Sequence, residues 1–236
     1  ANQIDTFVST DAQGDWWGGF GGGTVSHSGI ASFLGDTAEA MLQFSRVLPS
    51  EISRIALVDF TNDCIGTSLA VCRRMFDRYM ALLEAAQPEE ARRYILYGVR
   101  LDTSASLRDA SVAPLGHPDL DLGVTPRLVF LLRQALDSAA DSWDIPSSQR
   151  AAAREYCRAV KIVVSGGFNV DKISRFEKLQ VPVDVYAVGS SLFDNHEQTN
   201  TDFTADVVRV KVHGDWVDMA KVGRRAVDNP ELERVI

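Results

Sequence analysis

Apolar positions along this chain fall into two regimes, short and almost wholly apolar runs, and longer stretches in which apolar residues recur every three or four positions. Residues 54–60 (RIALVDF), 94–101 (YILYGVRL), 160–165 (VKIVVS) and 183–188 (VDVYAV) are of the first kind. They predict strands buried on both faces, as in a parallel sheet covered by helices. Between them lie helical patterns. One starts at Gly35, carries Ala38, Met41, Leu42 and Val47 on one face and stops at Pro49; others cover 66–84, 126–140, 149–158 and 170–179, the last opened by the N-cap-like Asn169. Residues 11–29 hold too much glycine for a packed element and predict a loop running up to a site, and a polar loop is expected from Thr103 to about Gly123. Residues 206–212 and 216–220 predict a hairpin turning at His213-Gly214-Asp215.

Strands alternating with helices require parallel pairing through right-handed crossovers, so the sheet is either open or closed into a barrel. In both cases the site lies at the C-terminal ends of the strands. A length of 236 residues suits a single barrel-sized domain covering 1–236. The chain begins at Ala1 on a polar, glycine-rich lead, and an upstream N-terminal domain is expected.

Composition adds exclusions. Hydrophobic residues make up 45% and charged ones 24%, as in an ordinary soluble protein. Acidic residues outnumber basic ones, 32 to 24, with no Lys/Arg-rich run, which argues against a broad nucleic-acid face but not against local binding of a small anion. No basic stretch followed by an apolar core opens the chain, and no apolar run is long enough to span a bilayer, so neither secretion nor a membrane is expected. The three cysteines, Cys64, Cys72 and Cys157, lie in helical patterns without zinc-ligand spacing and are expected to be buried thiols in a reducing cytoplasm.

The residues that could carry chemistry cluster at strand ends. Ser165-Gly166-Gly167 and Gly189-Ser190-Ser191 each follow an apolar strand in consecutive βα units. Glycine lets backbone N–H groups approach an anion, serine adds a hydroxyl, and the following helix N-terminus adds partial positive charge, so two such loops side by side would cup a phosphate. Either loop taken alone is more simply a tight turn. Arg100 and Asp102 point the same way at a strand end, where they form either a structural ion pair or a ligand pair, guanidinium to phosphate and carboxylate to ribose hydroxyl or Mg²⁺. Asp59 and Asp63 also follow a strand and could simply cap a helix. His27 sits among small residues, accessible enough to act as nucleophile or proton carrier, whereas His117, His196 and His213 are assigned no role.

In order and spacing these segments resemble the nicotinate phosphoribosyltransferase family, the type II phosphoribosyltransferases. Gly23-Thr24-Val25-Ser26-His27-Ser28 is similar to its GT-x-x-H-[SA] segment, Leu57-Val58-Asp59 to its LVDT strand end, and the run from Gly98 to Arg108 to its GVRLDTPSSRR variant. Val164 to Phe168 and Ala187 to Ser191 resemble the SGG and GVGT phosphate loops, and Asp202 to Val208 with Ala220-Lys221 resembles the family's segments downstream of those loops. The resemblance implies an incomplete, TIM-like (β/α) barrel of parallel strands that joins nicotinate to 5-phosphoribosyl 1-pyrophosphate, giving nicotinate mononucleotide and pyrophosphate for NAD synthesis. It implies that ATP, as co-substrate, phosphorylates His27, and that Arg100 and Asp102 hold the phosphoribosyl group, with Mg²⁺ at Asp102. It also implies that Asp59 sits near the base or the metal, and that Ser165, Gly166, Gly167, Gly189, Ser190 and Ser191 bind the 5′-phosphate. A cytoplasmic homodimer is expected. The same residues leave open a relative that uses nicotinamide or quinolinate, or a non-catalytic phosphate-binding homologue.

Overall fold

The alternation in the sequence becomes a parallel sheet in a computed structural model that describes residues 15, 25–189, 191, 205–227 and 230–231. A short helix α1 (His27–Ser32) and α2 (Thr37–Val47) precede the first strand, β1 (Arg54–Leu57). Then come α3 (Cys64–Glu84), the single turn α4 (Pro88–Ala91), β2 (Leu96–Leu101), the single turn α5 (Pro118–Asp121), α6 (Pro126–Ala139), α7 (Arg150–Ala159), β3 (Lys161–Val164), α8 (Val170–Lys178) and β4 (Val185–Tyr186). The four strands pair in parallel in the order β1-β2-β3-β4. The order advances one strand at a time without reversing, as along the arc of a barrel; a doubly wound sheet reverses at a switch point.

One face of this sheet is sealed. Ala56, Val58, Val99, Leu101, Ile162 and Val164 are fully buried. The helices that cover the core bury matching stripes, Cys64, Ser68, Val71, Cys72, Met75 and Phe76 on α3 and Leu128, Leu132 and Leu136 on α6, at the spacing of one helical face. Register sets the other face. Leu57, Arg100 and Val163 are cross-strand partners, so with period two that row continues to Asp102 and Ser165 at the strand ends. The ladder runs past the strands, with Ser165 N–H donating to Leu101 O (2.9 Å) and Ala187 N–H to Val164 O (2.8 Å), which holds these ends in line.

The opposite, N-terminal end of the sheet is built for stability. Arg54 is buried there, and its guanidinium donates to the carbonyls of Ser45, Leu48, Pro49, Ile52 and Arg93, gathering the end of α2 and the turn before β2. Cys64, Cys72 and Cys157 are buried free thiols, with Sγ of Cys72 3.7 Å from Sγ of Cys157. The late hairpin pairs β5 (Arg209–Val212) with β6 (Asp215–Asp218), and both turn residues, His213 (φ 50°) and Gly214 (φ 103°), take the positive φ that a two-residue turn needs.

The α/β class, the parallel strands and the small hairpin agree with the sequence. Five details differ. β1 ends at Leu57 instead of residue 60, and β4 keeps only two residues of 183–188, because pairing stops where the chain turns into site loops. α3 begins two residues before Gly66, at Cys64, since Asp63 accepts from Gly66 N–H (2.9 Å) and so caps the helix. The polar loop after Thr103 contains α5 and a bridge between Arg108 and Leu122. His27 lies in a helix, not in a loop: Ser26 caps α1 by accepting from Gly29 N–H (3.2 Å). No helix among the described residues is long and apolar enough to cross a membrane.

Candidate active site

The Ser26 cap makes His27 the first residue of α1 and turns its ring toward the end of β1. There Nε2 lies 2.8 Å from Oδ1 of Asp59, whose side chain is fully buried. Nζ of Lys221, itself 6% exposed, pairs with the other carboxylate oxygen, Oδ2, as a charge-to-charge contact, and donates to the backbone carbonyl of Asp102 at 2.9 Å. Burial alone would raise the Asp59 carboxyl, but the His27 hydrogen bond and the Lys221 charge outweigh it and hold it below the ordinary carboxylate range. An ionised carboxylate only accepts, so Nε2 of His27 carries a proton and donates it, while Nδ1 has no partner among the described residues. Asp59 therefore orients a histidine and does not cap a helix.

Beside this trio, Ser165 Oγ donates to Oδ1 of Asp102 (2.7 Å) and to Leu101 O (3.0 Å). The Arg100–Asp102 ion pair that the spacing allowed does not form. Arg100 has no charged partner among the described residues, and its buried Nε lacks any hydrogen-bond partner. A half-buried strand-end guanidinium left in that state is stabilised by an anion.

Ser165, Gly166, Gly167, Phe168, Ala187, Val188 and Gly189 line one cleft of about 280 Å³, so the two glycine loops face each other. Ser191 ties them together by donating to Phe168 O (2.9 Å). Gly166 (φ 86°) and Gly167 (φ 68°) both take left-handed backbone, which side chains rarely adopt. The N–H groups of Gly166, Gly167 and Gly189 meet no acceptor among the described residues, whereas that of Ser165 is committed to the sheet, so Ser165 offers its hydroxyl alone. Ser190 lies outside the described residues, as do Gly23, Thr24 and Asp202 to Thr204.

Donor atoms of His27, Asp59 and Asp102 all lie within 4.8 Å of one another. Two of the three are already engaged, since Asp59 holds His27 on one oxygen and Lys221 on the other. The open carboxylate is that of Asp102, whose second oxygen accepts no hydrogen bond among the described residues. One carboxylate with room for substrate oxygens fits Mg²⁺, which keeps waters and substrate phosphates as most of its ligands.

Lys221 belongs to a segment that the sequence marks only by resemblance and to which it assigns no role at the site. It is far from Asp59 in the chain, and only the backbone bond from Val222 N–H to Phe60 O (2.9 Å) brings the segment after β6 to the end of β1. Asp63 caps α3, as expected of a strand-end aspartate, and His213 forms the hairpin turn.

No protein-family model matches this chain, and no curated protein matches it. Among solved structures it is similar to a nicotinate-nucleotide pyrophosphorylase from Pyrococcus furiosus, at 25% sequence identity and a TM-score of 0.45, over 93% of this chain and 41% of that one. This chain thus spans about two fifths of the length of that chain.

Proposed function

We propose that this chain transfers the phosphoribosyl group of 5-phosphoribosyl 1-pyrophosphate to nicotinate, giving nicotinate mononucleotide and pyrophosphate in NAD biosynthesis, with ATP acting through His27. The observation that carries the reading is the grouping at the strand ends of an oriented histidine, an Arg100 without a charged partner among the described residues, and a cleft in which the Gly166, Gly167 and Gly189 amides meet no acceptor among those residues.

The amides of Gly166, Gly167 and Gly189 hold the 5′-phosphate, and Arg100 meets further phosphoryl oxygen. Fixing both ends of the sugar phosphate puts its C1 in reach of the base and spends no motion at the moment of reaction. The bond from C1 to the pyrophosphate oxygen breaks, the ring nitrogen of the base supplies the electron pair for the new C1–N bond, and the ribose passes through an oxocarbenium-like state. Fixed carboxylates such as Asp102 favour that cation. Bound at Asp102, Mg²⁺ would neutralise charge on the departing pyrophosphate.

Nδ1 of His27 attacks the γ-phosphorus of ATP, the bond to the ADP oxygen breaks, and the Nε2 proton stays on the ring, facing Asp59. That carboxylate balances the charge of the phosphorylated imidazolium.

The test is incubation of the protein with nicotinate, phosphoribosyl pyrophosphate, Mg²⁺ and ATP, following nicotinate mononucleotide, with nicotinamide and quinolinate as parallel substrates. Nicotinate turnover stimulated by ATP supports the reading. Turnover of another base alone contradicts the substrate, and binding of the mononucleotide without any turnover supports the non-catalytic homologue instead.

A further inference from the structure

The proposed reaction uses the loop amides, Arg100 and His27, and leaves Lys172 without a role. Lys172 stands in the first turn of α8, where Asn169 caps the helix by accepting from its N–H at 2.9 Å. Its side chain bends back over its own loop. Nζ donates to Gly166 O (3.1 Å) and sits 4.1 Å from the centroid of the Phe168 ring, and both residues line the cleft. No carboxylate pairs with Lys172 among the described residues. A carbonyl and a ring face offer an ammonium only partial negative charge, much less than a phosphoryl oxygen offers. Gly166, Gly167 and Gly189 line the same cleft, and their amides meet no acceptor among the described residues.

We propose that Lys172 is the cationic ligand of this cleft, leaving the Gly166 carbonyl and the Phe168 face to bind the phosphoryl group that the glycine amides hold. The identification of that group as a sugar phosphate rests on the phosphoribosyl reading; the anion site itself does not. The amides fix direction, and the ammonium supplies the whole charge that dipoles lack. Burial, then the Arg175 charge, push the ammonium below the ordinary lysine range, while Asp102 acts in the opposite sense. A bound phosphate would relieve both penalties.

The probe is inorganic phosphate, titrated into protein carrying isotope-labelled lysine side chains and followed by NMR and calorimetry. The expected result is a saturable shift of the Lys172 side-chain resonance, with phosphate affinity at least about tenfold lower in Lys172→Ala, the scale of one charge-assisted hydrogen bond, and largely kept in Lys172→Arg. Thermal denaturation without phosphate shows that the variants fold, and the wild-type resonance reports independently of them. An unmoved Lys172 resonance at saturating phosphate, or equal affinity in Lys172→Ala, overturns the proposal. If affinity falls in the variant while no pyridine base is turned over, the phosphoribosyl reading fails and this inference stands. Turnover with unchanged phosphate affinity leaves the reverse.

Discussion

Nε2 of His27 stands 2.8 Å from Oδ1 of Asp59, joining the start of α1 to the end of β1. The contact holds a proton on Nε2, and in the proposed reaction Nδ1 is the atom that attacks ATP. Two variants separate its functions. His27→Ala removes the phosphoacceptor and abolishes ATP stimulation while slow ATP-independent transfer persists. Asp59→Asn retains the ring but not its counter-charge, and lowers the stimulated rate by about 10²-fold or more, in the range seen when a positioned proton partner is lost. Steady-state kinetics with and without ATP measures both, and equal loss of basal and stimulated rates in His27→Ala would assign that histidine another task.

The depressed Asp59 carboxyl links the site to acid stability. Its folded value lies below its unfolded value of about 3.9, so its contribution is complete above that value and disappears as pH falls through the folded one. Denaturant unfolding between neutral pH and the acid limit is expected to show a fall in stability below about pH 4 that is shallower in Asp59→Asn.

Lys221→Met leaves the buried Asp59 carboxylate with His27 alone and cuts the tie to the Asp102 carbonyl. The expected loss is about 3–5 kcal/mol, the range for a buried charge deprived of its partner. Combined with Asp59→Asn, the two losses fall short of their sum because both remove the same pair. Urea unfolding of the single and double variants measures the coupling, and strict additivity would mean that the pair contributes nothing.

Burial and the neighbouring Asp109 carboxylate push the Cys64 thiol up, and Cys72 and Cys157 are also buried. Thiolate is the reactive form. The native protein is therefore expected to release no chromophore with a thiol reagent at neutral pH, and the full complement of thiols to react once it is unfolded.

Local chemistry made much of this molecule legible in its sequence. Asn169, Pro126 and Pro49 bound helices because capping and the missing proline N–H act over a few residues, and the strand runs were evident from their apolar content. The pairing of the two glycine loops followed from their position in consecutive βα units, since parallel neighbours place their C-terminal ends together. The features that escaped were long-range. Lys221 carries no spacing relative to Asp59, and its approach depends on where the hairpin segment crosses the end of β1. The helical setting of His27 escaped too, because the glycines around Ser26 mask a cap whose effect is a single turn.

Phosphoribosyl transfer at this site requires that the two glycine loops and Arg100 grip one sugar phosphate. A crystal structure of the protein with 5-phosphoribosyl 1-pyrophosphate and Mg²⁺ decides whether they do. The expected result is the 5′-phosphate within hydrogen-bond distance of the Gly166, Gly167 and Gly189 amides, with the Arg100 guanidinium on the same ligand. A sugar phosphate bound elsewhere, with those amides and Arg100 turned away from it, would contradict the proposed function.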